Sequence, residues 1–309
     1  MKTVLILNHK IEACGIQQTG RRLYSLAADS DKVNFVYREI DSLREFIAVT
    51  RKIRPDTILY NCNNATMPWL TEDIVRDDSA TSIFYHHDDY EIRKYYDKYL
   101  FLGNDDMLTE GLVPREKRIL VPRTLLPPYK GEYKKNKVVT IGSFGFGFWQ
   151  KGFHTLVKLV NDTFDEAVIN LHLTKSYFVD KDGKILNEVS KECMRLNTNP
   201  KVELNITHDF KDDDGILEFL AGNDINVFLY NAGGNGGLSG VPDYALAVRR
   251  PIAISNYPMF RHIMKDEIRV DKHSLQEILA QGTKPLEEFY ENWSNEKYRQ
   301  RMGEVFSEE

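Results

Sequence analysis

Short apolar runs alternate with amphipathic stretches along this chain, and the alternation predicts its elements. Val4–Leu7 is a run long enough for a buried strand, and Ile16–Ala28 follows with Ile16, Leu23 and Ala27 at helical spacing. Val33–Tyr37 reads as a strand, and Leu43–Ile53 as a helix with Leu43, Phe46, Ile47, Thr50 and Ile53 along one face. Thr57–Tyr60 and Ser82–Tyr85 are further strands, with Tyr99–Leu102 a candidate for one more. Strand–helix alternation of this kind predicts a parallel sheet with helices on both faces.

Between Pro114 and Lys137 the character changes. Pro122, Pro127 and Pro128 precede the charged run from Lys130 to Lys137, which is the composition of a linker and sets a domain boundary near residue 130. The alternation then restarts. Val138–Ile141, Val168–Leu173, Val202–Ile206, Ile225–Tyr230 and Ile252–Ile254 read as strands. Thr155–Val160, Ile185–Leu196, Ile216–Ala221 and Tyr244–Val248 read as parts of helices, and Leu286–Phe306 as a C-terminal one. The expectation is two α/β domains, 1–130 and 131–285, with a helical segment 286–309 packing back on the first.

A length of 309 residues suits two such domains, and 42% hydrophobic with 28% charged residues is ordinary for a globular protein. The net charge of −5 argues against nucleic acid, whose binders displace counterions with a basic surface. Cys14, Cys62 and Cys193 lie far apart, with neither zinc-ligand spacing nor a disulfide framework. The first apolar run stops at Asn8-His9-Lys10, too short for a signal-peptide core or a membrane span, so a cytoplasmic protein is expected. The N-x-S/T triplets at Asn64, Asn161, Asn205 and Asn292 then read as chance matches.

In open α/β sheets ligands bind beyond the carboxyl ends of the strands, so the residues after each apolar run matter most. Gly15 begins a helix whose free N–H groups can receive an anion, or is simply a helix-starting glycine. His86-His87-Asp88-Asp89 follows a strand. One histidine there can bind a sugar hydroxyl or transfer a proton, a capping role is the alternative, and a shared metal is disfavoured because neighbours on a strand end point apart. Gly142 to Gly152 is a glycine-rich stretch in which Lys151 can neutralise a diphosphate. Asn231 to Tyr244 holds five glycines within residues 233–240 between a strand and a helix, a backbone nest for phosphate or a plain flexible loop.

These edges, in this order, resemble the retaining GT-B glycosyltransferases of the glycosyl transferases group 1 (GT4) family over nearly the whole chain. The resemblance rests on Gly15, on His86 or His87-Asp88, and on Gly142 with Lys151-Gly152, where Ser143 replaces a basic residue. It continues through Val227–Tyr230, the glycine turn, and Tyr244 to Ile254 with Arg250-Pro251-Ile252. It implies two Rossmann-like domains with parallel sheets facing a central cleft that closes for catalysis. By the same resemblance His86, His87 and Asp88 serve catalysis and the donor sugar. Gly15, Ser143, Lys151, Gly237, Leu238, Ser239, Gly240 and Asp243 would hold a UDP-, GDP- or ADP-sugar.

The family's two glutamates fall here on Gly236 and Tyr244, and Asp243 is placed to take the ribose role. The implied activity is transfer of a sugar, with retention, to a glycan, lipid-linked or protein acceptor in surface-glycan assembly. No metal and no permanently bound cofactor are called for. The missing glutamates keep two alternatives open, a non-catalytic GT-B subunit and a GT-B sugar-nucleotide epimerase. Arg93 to Tyr99 is a basic-aromatic stretch that suits either a peripheral membrane contact or a solvated helix face.

Overall fold

A computed structural model of the chain describes residues 1–11, 14–86, 94–102, 113–124, 126–176, 179–231 and 238–308. It forms two compact units, one of Met1–Thr124 with Leu238 and Glu291–Glu309, the other of Leu125–Asn235 with Ser239–Tyr290.

The first unit runs β1 (Lys2–His9), α1 (Gly15–Ala27), β2 (Val33–Ile40), α2 (Leu43–Ile53), β3 (Thr57–Asn61), α3 (Glu72–Arg76), β4 (Thr81–Tyr85), β5 (Lys98–Leu102) and β6 (Arg118–Val121). The six strands are parallel, in the order β2-β1-β3-β4-β5-β6. Alternate side chains of β1 feed opposite cores, which is why its apolar run has no polar gaps. Val4 and Ile6 pack with Leu23 of α1, while Leu5 and Leu7 pack with Phe46 of α2 and Tyr60 of β3. Ser42 starts α2 by accepting the Glu45 N–H, a cap that its sequence advertises.

The second unit runs β7 (Thr140–Phe146), α4 (Phe153–Thr163), β8 (Ala167–Thr174), α5 (Lys184–Leu196), β9 (Val202–Thr207), α6 (Asp213–Ala221), β10 (Ile225–Phe228), α7 (Val241–Ala247), β11 (Ile252–Ile254) and α8 (Leu275–Gln281). Its parallel sheet has the order β11-β10-β7-β8-β9. One face buries Ile141, Leu171 and Val227 under Leu156 of α4 and Val189 of α5. Leu217 and Leu220 of α6 and Ala247 of α7 form a separate core with Leu126. Burying one such leucine contributes roughly 1.5–3 kcal/mol.

The C-terminal stretch is broken into α9 (Glu287–Asn292) and α10 (Asn295–Glu308), not one helix. The Ser294 hydroxyl accepts the Lys297 N–H and restarts the helix after Trp293. In α10, Tyr298, Met302, Val305 and Phe306 recur at helical spacing and join the core of the first unit, with the Phe306 ring edge-on to Phe35 at 5.7 Å.

Two other expectations are corrected. The segment 114–137 is not all linker, because Ile119 and Val121 are buried in β6, paired with β5. And β7 does not end at Ile141: it stays in register with β8 until Phe146 lies opposite Thr174, so Ser143 is a buried strand residue. Among the described residues no helix is long and apolar enough to cross a membrane, and no group of histidine, cysteine and carboxylate side chains is arranged for a metal ion.

Candidate functional site

In the second unit the chain leaves β7 for β8 on one side and returns for β10 on the other. The helix after β7 covers one core and the helix after β10 belongs to the other. A crevice opens above the carboxyl ends of two strands so related, and that is where ligands bind in open α/β sheets.

Three connections converge there. After β7 a turn of 3₁₀ helix, Trp149–Lys151, hands the chain to α4 through Gly152. Gly152 has φ +68°, and a Cβ on it would lie 1.8 Å from the Leu229 carbonyl oxygen, so only glycine lets this turn touch the end of β10. The Asn231 N–H donates to the Gln150 carbonyl at 3.1 Å and ties the two connections together.

The contact delivers Lys151. Its ammonium stands 3.9 Å from the centroid of the Tyr230 ring. The Tyr230 hydroxyl is 3.0 Å from Ser239 Oγ, so one tyrosine joins a cation from the first connection to a hydroxyl from the second. The third connection, after β11, closes the set. Ser255 Oγ donates to the Tyr230 carbonyl at 2.7 Å, and the Ser239 N–H donates to the Met259 carbonyl at 2.9 Å. No side chain caps α4 and no acidic residue sits in its first turn, so the helix that begins two residues after Lys151 carries an uncompensated partial positive charge at its start.

The predicted donor residues are therefore brought together in part. Lys151 and Ser239 meet through Tyr230, and Gly240 accepts the Asp243 N–H at 3.2 Å at the start of α7, with Asp243 buried. Leu238 directly precedes Ser239 in the chain, and Gly237 lies outside the described residues. Ser143 is apart, facing Leu171 across the ladder below the strand end. Tyr244 points its hydroxyl at Asp213 Oδ1, 2.6 Å away.

Beside this crevice, β8 buries His172 completely, with Nδ1 2.8 Å from Thr207 Oγ1. Burial, with a smaller push from Lys211 and His208 against the pull of Asp209, lowers its pKa to about 4. A depressed folded-state value means that this contribution to stability is complete above the ordinary value of 6.5 and is lost as pH falls toward 4. The acid-side loss through this group is on the order of 3 kcal/mol. Urea unfolding of His172→Gln across that window should show a flattened slope; an unchanged slope would assign the titration to another group.

In the first unit the corresponding crevice lies between β1 and β3, where the strand order also reverses. Buried asparagines at both strand ends hold the first turn of α1. Asn8 donates to the Gln17 carbonyl at 2.9 Å, and Asn61 to the Ile16 carbonyl at 2.8 Å and to Asn8 Oδ1 at 3.0 Å. Gly20 permits this docking, since a Cβ there would fall 2.3 Å from Asn61 Nδ2. Asn8 also donates to the Tyr37 hydroxyl, which donates to Glu39, itself clasped by Arg21. The Arg21 guanidinium holds the Glu39 carboxyl below its ordinary range.

Gly15 begins α1 in the open, and no side chain caps the helix. His9 Nδ1 accepts the Ile11 N–H at 3.1 Å, and burial lowers the pKa of this ring against the pull of Glu39. His86 follows β4 and is buried, its ring 5.0 Å from that of Phe101. With β3 between their strands, Gly15 and His86 stand on separate connections. His87 and Asp88 lie outside the described residues, as does Arg93 of the basic-aromatic stretch. A polar groove of about 340 Å³ opens beside Arg76, Asp78, Thr81 and Asp97 at the amino end of β4, the wrong edge for this chemistry.

Two Rossmann-like units with wholly parallel sheets define an α/β protein of the GT-B class. Among solved structures the chain is similar to sucrose-phosphate synthase from Thermosynechococcus elongatus, with a TM-score of 0.73 and 13% identity over 100% of this chain and 99% of that one. It is also similar to HepE of Anabaena in complex with UDP-glucose, at 0.70 and 10% over the whole of both chains. The lipopolysaccharide outer core galactosyltransferase WaaB matches at 0.66 and 10%, again over the whole of both. No family model matches the sequence, and no curated protein matches it. At such identities what is shared is the fold, and that fold is one these glycosyltransferases use.

Proposed function

We propose that this chain is a glycosyltransferase that takes a sugar from a nucleoside diphosphate donor and passes it to a glycan, lipid-linked or other acceptor, in surface-polysaccharide or glycoconjugate synthesis. The observation that carries the reading is the Lys151–Tyr230–Ser239 arrangement at the switch point of the second unit. A diphosphate needs positive charge and oriented donors with close backbone approach. Lys151, the uncapped start of α4, the Ser239 hydroxyl and the backbone at Gly240 supply them, with Asp243 toward the ribose. Further support comes from HepE, whose structure holds UDP-glucose on a similar fold. The sugar-side roles fall to His86, His87 and Asp88. The metal is dispensable in this scheme because Lys151 meets the leaving charge.

A second reading, a non-catalytic subunit that binds a nucleotide, is favoured by one observation. Tyr244 fills a slot where the resemblance places a glutamate, and its hydroxyl is committed to Asp213. Incubation with UDP-, GDP- and ADP-sugars and an acceptor panel separates the two. The transferase reading expects release of nucleoside diphosphate with one donor class, and slower turnover but intact nucleotide binding in His86→Ala. Binding without turnover on any donor would favour the second reading.

A further inference from the structure

Tyr230 belongs to none of the phosphate-binding groups above, yet every connection of the crevice touches it. Its side chain is 4% exposed. Phe260 packs on the ring at 4.5 Å between centroids, and Tyr257 meets it at 6.4 Å and 61°. Its carbonyl is held by Ser255 and its hydroxyl lies against Ser239. A ring so confined has little freedom to turn, and it presents one face to the Lys151 ammonium.

That partnership has a chemical consequence. A carboxylate at the same place would neutralise the ammonium and compete for its protons. An aromatic face attracts the cation through its quadrupole and leaves the full charge for an oxyanion. Lysine is also among the side chains that lose most entropy when fixed, so a lysine already confined binds a phosphate with less loss. The hydroxyl of the same ring sets the position of Ser239.

We propose that Tyr230 is the positioning residue of this site, holding the Lys151 ammonium and the Ser239 hydroxyl at one spacing for the diphosphate of a nucleotide-sugar. The proposal rests on the donor-site reading above. It differs from a purely structural role in one respect: the effect of the ring on binding runs through Lys151.

The test is a double-mutant cycle read by calorimetric titration with UDP. Tyr230→Phe keeps the ring and is expected to stay within about threefold of the parent affinity, the scale of one neutral hydrogen bond. Tyr230→Leu removes the ring and should bind about tenfold more weakly, and Tyr230→Met, closer in volume, should match it if the leucine variant folds poorly. In a Lys151→Ala background the Leu or Met change should cost no more than the loss of the hydroxyl alone, about threefold. A full tenfold loss repeated in that background would overturn the proposal, as would a Phe variant as weak as the Leu variant.

A second readout needs no nucleotide. The acetylation rate of Lys151 with acetic anhydride, followed by mass spectrometry, should rise several-fold in Tyr230→Leu or Tyr230→Met and stay at the parent value in Tyr230→Phe. If the parent failed to bind UDP, GDP and ADP alike while this pattern held, the nucleotide reading would fall and the positioning of Lys151 would stand. Acetylation indifferent to the ring would sink the positioning itself.

Discussion

Gly152→Ala should destabilise the second unit by about 3 kcal/mol or more, the sum of left-handed strain and a backbone collision. The Cβ would fall 1.8 Å from the Leu229 carbonyl oxygen, so the 3₁₀ turn and the end of β10 must part. Gly183 gives an internal control. It has φ +69° and ψ 21° at the start of α5, against +68° and 23° at Gly152, but the nearest atom to its added Cβ is a flexible Lys175 carbon at 3.5 Å. Gly183→Ala should therefore show strain alone, roughly 1–2 kcal/mol. Urea unfolding of both variants separates strain from collision. Equal losses would mean that Gly152 does not hold the two connections together. The larger loss should come with weakened UDP binding, because the same contact delivers Lys151.

The second large effect is on binding alone. Lys151→Ala should weaken UDP by roughly 1.5–3 kcal/mol, the range for a hydrogen bond to a charged group. No carboxylate pairs with the ammonium among the described residues, so removing it leaves no orphaned charge behind. Thermal stability should hardly move, since a cation–π contact contributes about 0.5–1 kcal/mol at a partly exposed site. The affinity of the parent should fall as salt rises, and that of the variant should fall less. Calorimetric titration at two salt concentrations reads both effects. Unchanged affinity in a folded variant would remove Lys151 from the site.

Strands buried on both faces were plain in the chain, because runs such as Val4–Leu7 leave no polar gap to misread. Helices with a single apolar face were equally plain, and α2 occupies the predicted Leu43–Ile53. What escaped were elements set by tertiary pairing. The strand β6 hides between Pro114 and Pro122, and its partner β5 alone makes it a strand. The extension of β7 through Gly142–Phe146 depends on its ladder with β8, where glycine composition argued for a loop.

The site shows the same divide. The place of Lys151 just after a strand is legible in the chain. Tyr230 is not, since a tyrosine ending an apolar run reads as core, and its role appears only when Gly152 brings Lys151 onto it. Asn8 and Asn61 had a usable signal, a polar residue closing an apolar strand at the carboxyl edge.

The central claim is that the carboxyl edge at β7 and β10 of the second unit holds a nucleoside diphosphate. A crystal structure of the full chain with UDP tests it most directly. The account predicts the β-phosphate within hydrogen-bonding distance of Lys151 Nζ and Ser239, with the ribose toward Asp243. A diphosphate found elsewhere in an otherwise unchanged second unit would contradict it.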